Sequence, residues 1–249
     1  MFHVYFYETF LEEEEAIRRY LPSKIKAGFT WKTIQEGNHD QPPANIISIR
    51  TQSQIPSDWA GSLKGILTRS TGFDHVKAYL TTTNSSLSCG YLPLYCNRSV
   101  AEQALLLWMS LLRKLRLQEK QFERFHRDGL TGREVKYRHL LVVGVGNIGY
   151  EIVRIGRALD MQVSGVDIDE KHDDVKYEPI DVVLPHADII VCAMNLTKDN
   201  WNYFNYKRLK KAQKGALFIN IARGEMSPCA DLLRLIDENH LGGVALDVF

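Results

Sequence analysis

The chain has 249 residues, 45% of them hydrophobic and 24% charged, with a formal net charge of +1, the profile of an ordinary globular protein of one large or two modest domains. That composition excludes disordered and fibrous architectures. The near-neutral balance offers no electrostatic footprint for wrapping nucleic acid or coating an anionic membrane, so neither partner is expected. The longest apolar stretch, 104–112, is broken by Ser110, stopped by Arg113 and far too short to span a bilayer. The opening MFHVYFYETFLEEEE has no basic region and no small-residue cleavage site, and so is not read as a signal peptide. Four cysteines without a CxxC spacing suggest neither a disulfide scaffold nor a metal site, and a reducing, cytoplasmic setting is expected.

In chain order, the pattern predicts a strand over 1–7, a helix over 11–20 and further strands near 27–33, 45–49 and 65–69. Gln41-Pro42-Pro43 and the Ser/Thr/Asn-rich 81–86 read as loops. Ser99-Val100-Ala101-Glu102 reads as a capping box opening one helix over 100–125. The first half of that helix is apolar nearly all round, as expected of a helix buried on several sides at a domain junction or subunit interface. From His139 the texture becomes strand (140–143), glycine turn (144–149), amphipathic helix to about 159 and strand (162–166). Three more buried strands are expected at 187–192, 216–221 and 243–248, with short helices near 203–212 and 230–238. Short β-rich runs alternating with amphipathic stretches predict α/β layers.

Gly144-Val145-Gly146-Asn147-Ile148-Gly149 is a GxGxxG. Alone it is weak evidence, because seventeen glycines can produce one by chance. Here a strand precedes it, a helix follows it, and an acid stands at the tip of the next strand, which is the setting of a dinucleotide site. Gly144 would let the strand turn sharply, Gly146 would let the backbone approach a pyrophosphate, and Gly149 would let the helix pack close to the sheet. The amides of Asn147 and Ile148 at the positive end of the helix would face the phosphates. Asp167 stands near the roughly 20-residue spacing of the carboxylate that holds the adenosine ribose and repels a 2′-phosphate, which predicts NAD over NADP. Asp169 and Glu170 read as loop acids.

Further residues carry a family resemblance. Gly215-Ala216-Leu217-Phe218-Ile219-Asn220-Ile221-Ala222-Arg223-Gly224, followed by Leu241-Gly242-Gly243-Val244-Ala245-Leu246-Asp247-Val248-Phe249, resembles the strand ends of D-isomer-specific 2-hydroxyacid dehydrogenases, in the D-lactate dehydrogenase-like branch. Ala187-Asp188-Ile189-Ile190, Leu196-Thr197, Thr68-Arg69-Ser70-Thr71-Gly72-Phe73-Asp74, and Pro93-Leu94-Tyr95 through Glu102 are similar too, so the likeness runs from about residue 64 to the end. It implies a two-domain α/β protein. Residues 1–98 would belong to a smaller flavodoxin-like substrate domain and 99–249 to a Rossmann-type, doubly wound parallel NAD-binding domain, both incomplete at the C-terminal end. It also implies hydride transfer between NAD(H) and a small 2-hydroxy or 2-oxo acid in a cleft between the domains, and a homodimer using the apolar helix after Ser99.

By the same resemblance Arg223 is the catalytic arginine, a guanidinium able to fork onto a carboxylate and polarise the adjacent ketone. Asp247 would meet the nicotinamide carboxamide and Val100 would line the nicotinamide. Met194, Asn195, Ile221 and Ala222 would contact the nucleotide, although many members carry Pro where Asn195 stands. The backbone of Ser70, Thr71 and Gly72 would hold the substrate carboxylate and Tyr95 would face the substrate. Cys96 has no paired histidine base and reads as a small bland residue. The family's acid histidine and its glutamate follow the ALDVF strand, and all eight histidines here lie upstream of it, none in a matching motif. The expectation is therefore a truncated member that binds NAD and turns over 2-oxo acids poorly. Two alternatives remain open, a formate- or phosphoglycerate-type substrate and a non-catalytic NAD-binding protein of the same fold.

Overall fold

The computed structural model describes residues 2–248. Met1, where the first strand was expected to begin, and Phe249, the last residue of the ALDVF motif, lie outside the described residues. The chain divides into two compact units, Met1–Tyr95 and Cys96–Phe249.

The first unit follows β1 (Phe2–Phe6), α1 (Leu11–Tyr20), β2 (Ala27–Phe29), α2 (Ile34–Gly37), β3 (Ala44–Ile49), β4 (Gly65–Thr68), α3 (Asp74–Thr83) and β5 (Ser88–Gly90). Its five strands are all parallel in the order β2-β1-β3-β4-β5, the flavodoxin-like order. Tyr7, Ile47, Ile49, Ile66, Trp59 and Val76 fill its core. Glu8, in the left-handed region at φ 52°, directs a buried carboxylate at the N–H groups of Arg50, Gln52 and Ser53 and so pins the loop that follows β3. The T-x-x-E pattern at Thr33–Glu36 forms a full capping box on α2, although the sequence reading had not singled it out.

The second unit follows α4 (Asn97–Leu112), α5 (Leu115–Phe122), β6 (His139–Val143), α6 (Asn147–Ala158), β7 (Gln162–Val166), α7 (Ile180–Val183), β8 (Ile189–Cys192), α8 (Tyr206–Leu209), β9 (Leu217–Asn220), α9 (Cys229–Asp237) and β10 (Gly243–Leu246). Its parallel sheet runs β10-β9-β8-β6-β7. A single parallel bridge from Gly165 to Tyr177 marks the third-strand position of a Rossmann sheet outside β7. Each face carries its own core, as the period-two alternation of a strand dictates. In β6, Leu140 and Val142 join the cluster under α4 and α6, whereas Leu141 and Val143 join the one under α8 and α9.

Several expected elements differ from those observed. The single helix over 100–125 is two, because Lys114 adopts φ 54° and the Leu112 carbonyl accepts the N–H of Arg133 instead of continuing the helix. The helix begins at Asn97, so Ser99 lies inside it. The Ser99 hydroxyl donates to the Cys96 carbonyl and Glu102 pairs with Arg98, so no capping box forms there. Only Ala101, Ala104, Trp108 and Leu112 of α4 are buried, a single stripe, and Leu106 is 55% exposed. Thr81 and Thr83, expected in a loop, close the last turn of α3, their hydroxyls donating to the carbonyls of Lys77 and Tyr79.

Among the described residues no helix is long and apolar enough to cross a membrane, and no cluster of three or more His, Cys, Asp or Glu side chains is placed to hold a metal. On α9 and its flank, Glu238 accepts from Lys210 at 2.5 Å, Tyr206 at 3.0 Å and Arg234 at 3.0 Å. Chiefly the Lys210 bond, then the Tyr206 bond, hold its carboxyl at a pKa of about 2. A depressed folded-state pKa contributes stability above the unfolded value of about 4.3, lost as pH falls toward the folded value. Glu238→Gln should therefore flatten the pH dependence of unfolding between about pH 4 and pH 2, measured by denaturant titration at low salt. An unchanged slope would remove the assignment.

Candidate functional site

The second unit gathers its chemistry at the carboxyl ends of its parallel strands, where α/β folds bind ligands. β6 is followed directly by Gly144, which takes φ 93°. A Cβ there would lie 2.6 Å from the Met194 amide nitrogen and 2.7 Å from the Ala193 carbonyl carbon, so the turns after β6 and β8 meet backbone to backbone. A Cβ on Gly149 would lie 1.9 Å from the Gly144 carbonyl oxygen, so the first turn of α6 seats directly on the glycine turn. At Gly146, the residue before α6, an added Cβ would meet nothing within 4 Å, and the space in front of the turn is open.

The site has the features an anion needs. α6 runs twelve residues with no acid in its first turn. Asn147 is exposed and Ile148 half-buried at its start, where the first N–H groups have no intrahelical acceptor. Asp167, at the end of β7, accepts the Val145 N–H at 2.6 Å and the Asp169 N–H at 3.1 Å. The carboxylate thus braces the glycine turn while standing at its rim. The exposed Asn195 continues the turn after β8, its carbonyl accepting from Asn200 at 2.8 Å. The residues fit a dinucleotide, with an open backbone cradle, a helix N-terminus and a carboxylate beside it.

At the ends of β9 and β10 a side chain that sequence reasoning had not assigned a role organises the others. Asn220 is fully buried. Its Oδ1 accepts the Ala222 N–H at 2.9 Å, and its Nδ2 donates to the Arg223 carbonyl and to the Ser227 hydroxyl, both at 2.8 Å. Its own carbonyl accepts the Asp247 N–H at 2.9 Å. One residue thereby ties the Arg223 turn to the end of β10. Its place in the Gly215–Gly224 run was visible in the sequence, but its bonds were not. Ile221 and Ala222 are buried, and Arg223 is half-buried with its guanidinium donating to the Ala222 carbonyl at 2.9 Å. Asp247 is exposed and accepts from Gln103 of α4 at 3.0 Å, a second contact the sequence did not announce. Val100 lies half-buried in the first turns of α4. The Cys192 thiol, buried at the end of β8 and pushed up to about 12 by burial, is no nucleophile.

In the first unit Ser70, Thr71 and Gly72 follow β4. The Ser70 carbonyl accepts the Leu92 N–H at 3.1 Å, the Thr71 hydroxyl donates to the Leu92 carbonyl at 3.0 Å, and the Tyr95 hydroxyl donates to the Arg69 carbonyl at 3.4 Å. The turn and the Tyr95 segment are thus laced together. Arg69 anchors the turn from behind, bonding Glu13 at 2.7 Å, Ser48 at 2.9 Å and the Tyr7 carbonyl at 2.7 Å.

A family model described as "D-isomer specific 2-hydroxyacid dehydrogenase, NAD binding domain" matches residues 105–249. The chain is 29% identical over 204 residues to a glyoxylate reductase of Thermofilum pendens, covering 77% of this chain and 60% of that protein. It is 28% identical over 193 residues to an aromatic 2-oxoacid reductase of Clostridium sporogenes, covering 75% and 58%. The chain therefore spans no more than about 60% of the length of these curated relatives. The D-lactate dehydrogenase of Aquifex aeolicus, solved with NAD and lactic acid, superposes with a TM-score of 0.85 at 24% identity, over 99% of this chain and 77% of that one, a likeness of fold.

Gly149→Ala drives a methyl into the Gly144 carbonyl and should destabilise the second unit by about 1–3 kcal/mol, the range for overpacking. Asn220→Ala strips partners from a buried N–H and carbonyl and should be destabilising by a similar ~1–3 kcal/mol. Denaturant unfolding reads both, and wild-type stability of either variant would contradict the packing described.

Proposed function

Because the chain belongs to the D-isomer-specific 2-hydroxyacid dehydrogenase family and carries its NAD-binding domain, we propose that it serves hydride transfer between NAD(H) and a small 2-hydroxy or 2-oxo acid. The observation that carries this reading is the glycine turn, locked by contacts at Gly144 and Gly149 yet open at Gly146, with Asp167 bonded to its backbone. In this reading the amides of Asn147 and Ile148 receive the diphosphate. Asp167 accepts the ribose hydroxyls and disfavours a 2′-phosphate. Val100, Met194, Asn195, Ile221 and Ala222 line the nucleotide, and Asp247 meets the carboxamide. When bound, the nicotinamide supplies or accepts the hydride.

Arg223 forks onto the substrate carboxylate and polarises the neighbouring carbonyl, holding the charge that develops on its oxygen. The tie from Asn220 to the Arg223 carbonyl supports this role, because it keeps the arginine's backbone from drifting. Backbone amides of Ser70, Thr71 and Gly72 hold the carboxylate in the first unit, and Tyr95 faces the substrate. The same reading makes the protein a cytoplasmic homodimer. The exposed Leu106 on α4 supplies part of the apolar surface for the second copy. Light scattering in solution checks the dimer.

NADH titration by fluorescence and calorimetry tests the proposal directly. Wild type should bind NADH at least about tenfold more tightly than NADPH. Asp167→Asn keeps an acceptor for the Val145 N–H and loses the charge, so it should erode that preference while preserving the turn. Arg223→Ala should lower 2-oxo acid turnover in the assembled enzyme by about 10²-fold or more. Absence of NADH binding, or a preference untouched by Asp167→Asn, would overturn the cofactor reading.

A further inference from the structure

The Ser70 turn is held by a chain of single-proton donors whose direction follows from chemistry. Ser70 is 8% exposed, and its hydroxyl donates to the Gly72 carbonyl at 2.6 Å, closing the turn on itself. A serine hydroxyl has one proton, so the 2.6 Å contact between Ser70 and Thr68 must have the Thr68 hydroxyl as donor. Thr68, 3% exposed at the end of β4, has then spent its own proton. Its 3.2 Å contact with His75 Nε2 must therefore run from the imidazole N–H to the threonine oxygen. The relay reads His75 to Thr68 to Ser70 to the Gly72 carbonyl, and it requires the proton of His75 to sit on Nε2. His75 lies in the first turn of α3, whose packing through Val76 and Tyr79 fixes the ring's distance from the sheet.

We propose that His75 is a positioning residue for the Ser70–Thr71–Gly72 turn, acting through Thr68 and Ser70 to hold its backbone amides in the geometry that receives a carboxylate. The ligand class rests on the reading given under the previous heading, but the relay itself does not. Without the imidazole donor, Thr68 gains freedom to rotate its proton, the Ser70 hydroxyl loses its fixed donor, and the bond to the Gly72 carbonyl competes with other rotamers. A carboxylate held by two or more amides is sensitive to such loosening, because each bond depends on alignment.

Three variants test this in the full chain saturated with NADH, with oxamate as the probe. His75→Leu and Thr68→Val should weaken oxamate binding about tenfold, the scale of one net hydrogen bond. His75→Gln, whose amide can donate in place of Nε2, should stay within about twofold of wild type. NADH affinity should be the same in all four proteins. Nitrogen spectra of the wild-type imidazole should place its neutral-form proton on Nε2. Wild-type oxamate affinity in both His75→Leu and Thr68→Val, failure of His75→Gln to rescue, or a proton on Nδ1 would each overturn the relay. If wild type with NADH does not hold oxamate, it is the substrate reading that fails. The relay is then decided by amide order parameters at Thr71 and Gly72, which should drop in His75→Leu and Thr68→Val and whose constancy would refute it.

Discussion

The second unit depends on one backbone collision that only glycine avoids. The first turn of α6 rests on the carbonyl of Gly144, and the turn after β8 rests on the α-carbon of the same residue, each at a distance that leaves no room for a methyl. Because helix, glycine turn and neighbouring strand end are in direct contact there, the N–H groups of α6 are aimed by the sheet rather than by a loop. Asp167 adds a negative charge to this assembly, and one of its carboxylate oxygens accepts the Val145 N–H. A group bonded to the cradle it serves loses little freedom when a ligand arrives, and that preorganisation favours binding.

The opposite end of the sheet solves a different problem, that of fixing a long cation. Arg223 itself has extended backbone angles, φ −146° and ψ 144°, at the entry to the short turn Gly224–Met226, and its guanidinium donates to the Ala222 carbonyl. Asn220 fixes that backbone by satisfying the Ala222 N–H, the Arg223 carbonyl and the Ser227 hydroxyl from a position with no exposure to solvent. A buried amide with all its partners is favourable, whereas one with half of them is costly, so the knot either forms whole or not at all. The first unit uses the same economy on a smaller scale, with Arg69 and Glu8 pinning adjacent strand ends and a line of hydroxyls closing the Ser70 turn.

How far the sequence could be read depended on how local each signal was. The limits of α1 and the order of the strands from β6 to β10, with α6, α8 and α9 between them, followed from periodicity, because the sheet is buried on both faces and its strands are short apolar runs; the four-residue α7 was not expected. The glycine turn and Asp167 followed from spacing along one βαβ unit. The single helix expected over 100–125 failed because its end is set by the Arg133 N–H, which arrives from a later segment to take the Leu112 carbonyl. The capping box expected at Ser99 failed although the same pattern at Thr33 succeeded. Arg98 competes for Glu102, and the helix had already begun one turn earlier. Thr81 and Thr83 looked like loop residues by composition, but their hydroxyls bond back into α3.

The sequence by itself determined the α/β plan, the glycine turn and the acid at the tip of β7, since each is a matter of residue type at short, regular spacing, whereas the arginine after β9 stood out only through the family resemblance of the run around it. Tertiary structure alone decided that Gly144 answers to the turn after β8, that Asn220 commands both Arg223 and Asp247, and that His75 stands behind Ser70 through Thr68. Those relations join side chains to partners on other elements or around a turn. Hydrogen bonds of that kind depend on angles and tenths of an ångström that no pattern of letters encodes.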